Sequence, residues 1–246
     1  MKNLLIDIGN SAFKSATAKQ RSMHIGKVER SDYKKKSILK DFEDHVSRYK
    51  TDNSIDHAGI SLLDKSQMIH VERIMKRCFG FAPVFVSTES NLPFDLLYEK
   101  TIGSDRLCSS TSAFFKTESD TILTIDFGTA TTYTVVHKKV LIGGMISPGI
   151  GTSYHALISK TTLPDSKLRF PKSPVSKKTI ENISGGVLFQ SLYTTERYIE
   201  ELKETFGETY VICTGGYSSI IFDKTDNIDM LDRNLVLTGI NLIISS

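Results

Sequence analysis

Apolar runs, alternation and helical periodicity divide the chain into short strands and longer helices. Leu4-Leu5-Ile6 is an apolar run that ends in Asp7-Ile8-Gly9-Asn10-Ser11, a turn-forming cluster. Residues 13–19 alternate, which predicts the return strand of a hairpin, and residues 23–28 are expected to add a third strand. In residues 36–50 the spacing of Ile38, Leu39, Phe42 and Val46 predicts a helix. A buried strand is expected over 58–62, a helix over 71–79 ending at Gly80, and a further strand over 83–86. Strands followed by alternating helices and strands define an α/β fold.

The second half begins as the first does. Ile122-Leu123-Thr124-Ile125 is an apolar, β-rich run that ends in Asp126-Phe127-Gly128-Thr129-Ala130. Residues 132–137 read as the return strand and 140–144 as a third. The pattern Asp-x-Gly-[Asn/Thr]-[Ser/Ala] therefore occurs twice, each time between an apolar strand and a hairpin. Two similar halves follow, 1–118 and 119–246, joined at the polar segment Lys116-Thr117-Glu118-Ser119-Asp120. Helices are expected over 153–160, 180–202 and 234–244, and a buried strand over 210–213 running into Gly215-Gly216. Residues 164–178 hold Pro164, Pro171 and Pro174 among basic residues and read as a surface loop.

Composition narrows the class further. With 39% hydrophobic and 24% charged residues the 246-residue chain is ordinary globular material. A net charge of +3 is no electrostatic footprint for nucleic acid. No apolar run approaches the roughly 20 residues that span a bilayer. The N-terminal residues lack a long apolar segment and a cleavage site, so no signal peptide is expected. The 3 scattered cysteines predict reduced thiols, not a disulfide framework, and a cytoplasmic location.

Neither a Walker-type phosphate loop nor a dinucleotide fingerprint is present, and the histidines show no metal-ligand spacing. What is present is a pair of strand–Asp-x-Gly–hairpin units. A turn with glycine lets backbone N–H groups approach an anion, because no Cβ intervenes. Asn10, Ser11, Thr129 and Thr131 add neutral donors, and the acid at the strand end can hold a cation against phosphates. Gly103-Ser104-Asp105-Arg106 precedes an apolar helical segment over 107–115. Its acid either caps the helix or accepts the proton of a substrate hydroxyl, with the arginine gripping a carboxylate or phosphate.

Together these segments resemble the type III pantothenate kinase family. The resemblance is carried by Asp7-Ile8-Gly9-Asn10-Ser11, Gly103-Ser104-Asp105-Arg106, Asp126-Phe127-Gly128-Thr129-Ala130-Thr131-Thr132 and Gly143-Gly144-Met145-Ile146-Ser147-Pro148-Gly149. Leu163-Pro164, Thr179 ahead of Gly185, Thr214-Gly215-Gly216 and Leu235-Val236-Leu237-Thr238-Gly239 add to it. It implies two duplicated actin-like (ribonuclease H-like) domains with an ATP cleft between them. It also implies phosphorylation of pantothenate on its 4′-hydroxyl, the first committed step toward coenzyme A, by a cytoplasmic homodimer. Asp7, Ile8, Gly9, Asn10, Ser11, Ala12, Phe13 and Lys14 then form the first phosphate loop, and Thr129 contacts ATP. Asp105 is the proton acceptor, within a substrate-binding set of Tyr98, Gly103, Ser104, Asp105, Arg106 and Thr179. Asp126 is the ligand of a monovalent cation, K⁺ or NH₄⁺, and ATP arrives with Mg²⁺. Pantothenate is the small-molecule partner, with no nucleic acid and no membrane. Two positions depart from the family pattern: Thr134 stands where an acid is usual, and Ser104 where a small apolar residue is common. The alternatives are a non-catalytic regulator of the Bvg accessory factor type, or a kinase or ATPase of the same fold acting on another small molecule.

Overall fold

The structure is a computed structural model describing all residues, Met1–Ser246. They form two compact units. One comprises Met1–Glu118 together with Asn234–Ser246, the other Ser119–Arg233.

In the first unit β1 (Lys2–Ile8) turns back into β2 (Ala12–Lys19), and β3 (Glu29–Asp32) pairs with β2. Helix α1 (Ile38–Val46) carries the chain over to β4 (Ile55–Leu62), which lies parallel to β1. Helix α2 (Met68–Phe79) makes the same crossover to β5 (Val84–Phe85), since parallel neighbours cannot be joined by a tight turn. The sheet order is β3-β2-β1-β4-β5. Leu4, Leu5 and Ile6 are wholly buried, as an apolar run without alternation requires of a central strand covered on both faces. On one face Phe42 and Val46 of α1 and Val71, Ile74 and Met75 of α2 pack against Leu4, Ile6, Phe13 and Ile60. The short β6 (Asp95–Leu96) precedes α3 (Ser104–Phe114).

The third strand differs from expectation. Residues 23–28 contribute only an isolated bridge, Ala18 to Ile25, and the paired strand is Glu29–Asp32. Arg21 sits in the left-handed region (φ 58°); beside the Ala18–Ile25 bridge the Gly26 N–H donates to the Thr17 carbonyl at 2.7 Å, and the ladder re-forms as a strand beside Ala12–Ser15.

The second unit contains β7 (Thr121–Phe127), β8 (Ala130–His137), β9 (Val140–Pro148), α4 (Ile150–Ser159), α5 (Thr179–Phe206), β10 (Thr209–Thr214), α6 (Ser218–Phe222) and β11 (Met230–Leu231). Its strands run β9-β8-β7-β10-β11. With β7 matched to β1, this is the order of the first unit, with the same antiparallel hairpin and the same parallel neighbour. The repeated sequence pattern is therefore a repeated topology. The apolar stripe of α5, including Ile183, Val187, Leu188, Leu192 and Ile199, is spent on the core of this unit. The basic loop of 164–178 is tied down where the Tyr154 hydroxyl donates at 2.6 Å toward Asp165, and Leu168 and Phe170 pack on the core.

The expected second half, 119–246, needs correction at its end. Helix α7 (Leu235–Ile244) belongs to the first unit. It is apolar on nearly every side and must be buried on nearly every side. Ile240 and Ile244 lie against Gly59 of β4, and Gly239 lies against the Cys108 backbone of α3. Asn3 of β1 donates to Asn241 Oδ1 at 2.8 Å and to Ser245 Oγ at 3.2 Å, satisfying buried amides that would otherwise be costly.

Candidate active site

In the first unit the C-terminal end of β1 delivers Asp7 to a buried position. Pairing places Lys14 of β2 on one side of it and Ser61 of β4 on the other. The Ser61 hydroxyl donates to the Asp7 carboxylate and is 3.0 Å from the Ser104 hydroxyl at the start of α3. The next residue on α3 is Asp105. Its Oδ1 accepts the Arg106 backbone N–H at 2.8 Å. Gly103 leaves the space that this carboxylate fills, since a Cβ there would overlap Asp105 Oδ1. Arg106 is buried, its guanidinium 5.0 Å from the centre of the Tyr98 ring, which suits a cation–π contact. Cys108 lies one turn further along α3, its thiol pushed well up by burial and then by Asp7 and Asp105.

Burial dominates the electrostatics of this group. It pushes Asp7 up to about 6, with Lys14 pulling down, Asp105 pushing up and the Ser61 hydrogen bond pulling down. Burial also raises Asp105, opposed first by the Arg106 N–H, then by the charges of Arg106 and Lys14. Asp7 Oδ1 is buried without a hydrogen-bond partner. A carboxylate oxygen kept buried and unpaired fits a cation or its bound water.

A test follows from the shift. An acid whose pKa is raised on folding, here from 3.8 to about 6, favours the folded state while protonated. That contribution is complete below the unfolded value and is lost as pH rises through the folded one. Asp7→Asn is therefore expected to be more stable than wild type at pH 8, by up to roughly 3 kcal/mol, with the gap closing toward pH 4. Urea unfolding at the two pH values measures this. Equal stability at pH 8 would contradict the burial of this carboxylate with one oxygen unpaired.

The turn after Asp7 is closed by the Gly9 N–H on the Ala12 carbonyl at 3.2 Å. Ile8, Ala12 and Phe13 are buried and anchor the turn, whereas Asn10 and Ser11 are exposed at its tip. The matching turn of the second unit is one residue tighter: the Gly128 N–H reaches the Ala130 carbonyl at 3.1 Å. Thr132 pairs with Asp126 where Lys14 pairs with Asp7. The exposed Thr129 is held by its carbonyl, which accepts the Gly149 N–H at 3.0 Å and the Thr152 hydroxyl at 2.6 Å. Gly215 has φ +100°, and a Cβ there would overlap the Asp126 carboxylate and the Phe127 backbone, so the turn after β10 closes directly over Asp126. Thr134 is buried opposite Thr124, leaving Asp126 as the one carboxylate on β7 and β8.

The structure thus gathers Asp7, Lys14, Ser104, Asp105, Arg106 and Tyr98 in the first unit. It puts Asp126 and Thr129 on the second unit's hairpin, and Thr179 at the exposed first position of α5. Sequence reasoning missed Ser61, which links Asp7 to Ser104. A serine between Ile60 and Leu62 at the end of an apolar strand was its only signal.

Two copies of one α/β topology, each with an Asp-x-Gly hairpin after its central strand, define the actin-like kinase and ATPase fold. A sequence model of the type III pantothenate kinase family matches residues 3–201. This chain belongs to that family. A type III pantothenate kinase from Petrotoga mobilis is 34% identical over 193 residues, covering 76% of this chain and 75% of the relative. Among solved structures, a Campylobacter jejuni protein described as a Baf family transcriptional activator superposes with a TM-score of 0.66 at 18% identity. It covers 98% of this chain and 96% of its own. A ROK family glucokinase from Streptomyces griseus, bound to glucose and AMPPNP, gives 0.54 at 10% identity, with 98% of both chains covered. These two likenesses bear on the fold alone.

Proposed function

We propose that the protein transfers the γ-phosphoryl group of ATP to the 4′-hydroxyl of pantothenate, the first step toward coenzyme A. Membership of the family supports the substrate. The observation that carries the chemistry is the buried set Asp7–Ser61–Ser104 next to the half-buried Asp105, with the Arg106 guanidinium over the Tyr98 ring beside it.

Asp105 accepts the proton of the 4′-hydroxyl as its oxygen bonds to the γ-phosphorus. The bond from phosphorus to the β,γ-bridging oxygen breaks, and ADP leaves. Phosphoryl transfer needs little covalent work from the protein and is governed by positioning and charge. Arg106 and Tyr98 hold the substrate, together with Gly103, Ser104 and Thr179. The turn from Asp7 to Lys14 and Thr129 bind ATP, with Lys14 offsetting phosphate charge. Asp7 would hold Mg²⁺ through its unpaired oxygen, and the ion when bound neutralises charge on the phosphates. Asp126 would hold K⁺ or NH₄⁺, and with Thr134 in place of an acid it does so as a single carboxylate. The protein acts in the cytoplasm as a homodimer. The homodimer rests on the family, since the α5 stripe is core, and light scattering at the mass of a single chain would refute it.

ADP release measured with ATP and either pantothenate or a panel of sugars tests the reading, in potassium, ammonium and sodium buffers. Turnover is expected with pantothenate alone, faster in potassium or ammonium than in sodium. Turnover on a sugar would overturn the substrate, and equal rates in all three buffers would remove the monovalent cation.

A further inference from the structure

Tyr33 follows β3 and lies beside the first turn. Its backbone N–H donates to the Ser11 carbonyl at 3.3 Å, and its hydroxyl donates to the Gly9 carbonyl. Its ring stacks on Phe13, centroids 4.4 Å apart and planes within 20°. Phe13 is itself fully buried against Phe42 and His45. The hydroxyl is therefore carried on a ring with little freedom to swing. Burial raises the Tyr33 phenol, and Asp64 and then Asp7 raise it further, so it stays a donor at neutral pH.

The peptide between Gly9 and Asn10 is trans, and in a planar trans peptide the C=O and the following N–H point in opposite directions. With the Gly9 carbonyl turned onto Tyr33, the Asn10 N–H is turned away from it. The Gly9 N–H is engaged inside the turn on Ala12, and Asn10 is exposed at the tip. Backbone amides bind an anion well when their planes are fixed beforehand.

We propose that Tyr33 is a positioning residue for the phosphate-binding turn, its hydroxyl fixing the Gly9–Asn10 peptide so that the Asn10 N–H faces a phosphate oxygen of ATP. This rests on ATP being the ligand of that turn. Tyr33→Phe keeps the ring stack and the backbone bond to Ser11 and removes the hydroxyl alone. Calorimetric titration with ATP and Mg²⁺, without pantothenate, is expected to show a Kd raised roughly five- to tenfold, the worth of one hydrogen bond. The KM for ATP rises in step, while kcat at saturation and the KM for pantothenate stay within about twofold. An unchanged Kd for ATP with a lowered Tm would overturn the proposal and leave Tyr33 a structural prop. Wild-type protein that binds ATP without phosphorylating pantothenate would overturn the substrate reading, and the Tyr33→Phe Kd would still decide this one. Wild-type protein that binds no ATP would overturn both.

Discussion

Replacing Asp105 with asparagine is expected to lower kcat roughly 10²–10⁴-fold, the usual worth of a positioned general base. ATP binding and Tm should change little. The primary alcohol of pantothenate is a poor nucleophile at neutral pH and gains most from an acceptor. The alternative role, a helix cap, is not the one its geometry suits. Helix α3 begins at Ser104 with Gly103 preceding it, so Asp105 lies inside the first turn. Its oxygen takes the N–H of its immediate neighbour, whereas a capping side chain precedes the helix and accepts from two or three residues on. Asparagine retains an oxygen for that N–H and loses the basicity. The raised pKa of Asp105 also sets a direction for pH. Activity should rise with pH as the carboxylate ionises and be lost on acidification, and the Asn variant should lose that dependence on Asp105. A kcat near wild type at saturating pantothenate would show that Asp105 is not the base.

Gly239→Ala should disrupt the first unit. At this position α7 and α3 touch backbone to backbone, and a Cβ would overlap the Cys108 carbonyl, with Cys108 Cα 2.8 Å away. Backbone cannot swing aside as a flexible side chain can. The substitution is expected to destabilise by roughly 3 kcal/mol, the upper range for overpacking. Because α3 carries Ser104, Asp105 and Arg106, activity should fall as well. Gly186→Ala is the matched control. Gly186 is exposed within α5 with nothing near its missing Cβ, so alanine there should stabilise by up to about 1 kcal/mol. Urea unfolding of both variants measures the contrast. If Gly239→Ala is as stable as wild type, the close approach of α3 and α7 is wrong.

Much of the fold was legible because its central strands are extreme in pattern. Leu4-Leu5-Ile6 and Ile122-Leu123-Thr124-Ile125 are unbroken apolar runs ending in the same turn chemistry, so hairpin and duplication could be read together. The placement of α7 could not be read. An apolar helix announces burial, but its partners are chosen by shape, here by Gly59, Gly239 and the Asn3–Asn241 pair. The segments β6, α6 and β11 are too short to show any period. The third strand was misplaced because nothing in the sequence of 23–28 shows that this stretch, after the left-handed Arg21, makes an isolated bridge to β2 and leaves the paired strand to Glu29–Asp32.

At the site, the acids were legible singly. Their meeting was not, because Asp7 and Ser104 are joined through Ser61, on a strand that carries no motif. Nor did the sequence reveal that Arg106 is buried against Tyr98, since arginine after aspartate at a helix start is usually surface charge.

The central claim is phosphoryl transfer from ATP to one hydroxyl of pantothenate. Mass spectrometry of the products of purified protein, ATP, Mg²⁺ and pantothenate tests it most directly. The account predicts a pantothenate species heavier by one phosphoryl group, fragmenting as the 4′-phosphate and formed in equal amount to ADP. ADP appearing without a phosphorylated pantothenate, or pantothenate recovered unchanged while ATP binds, would contradict it.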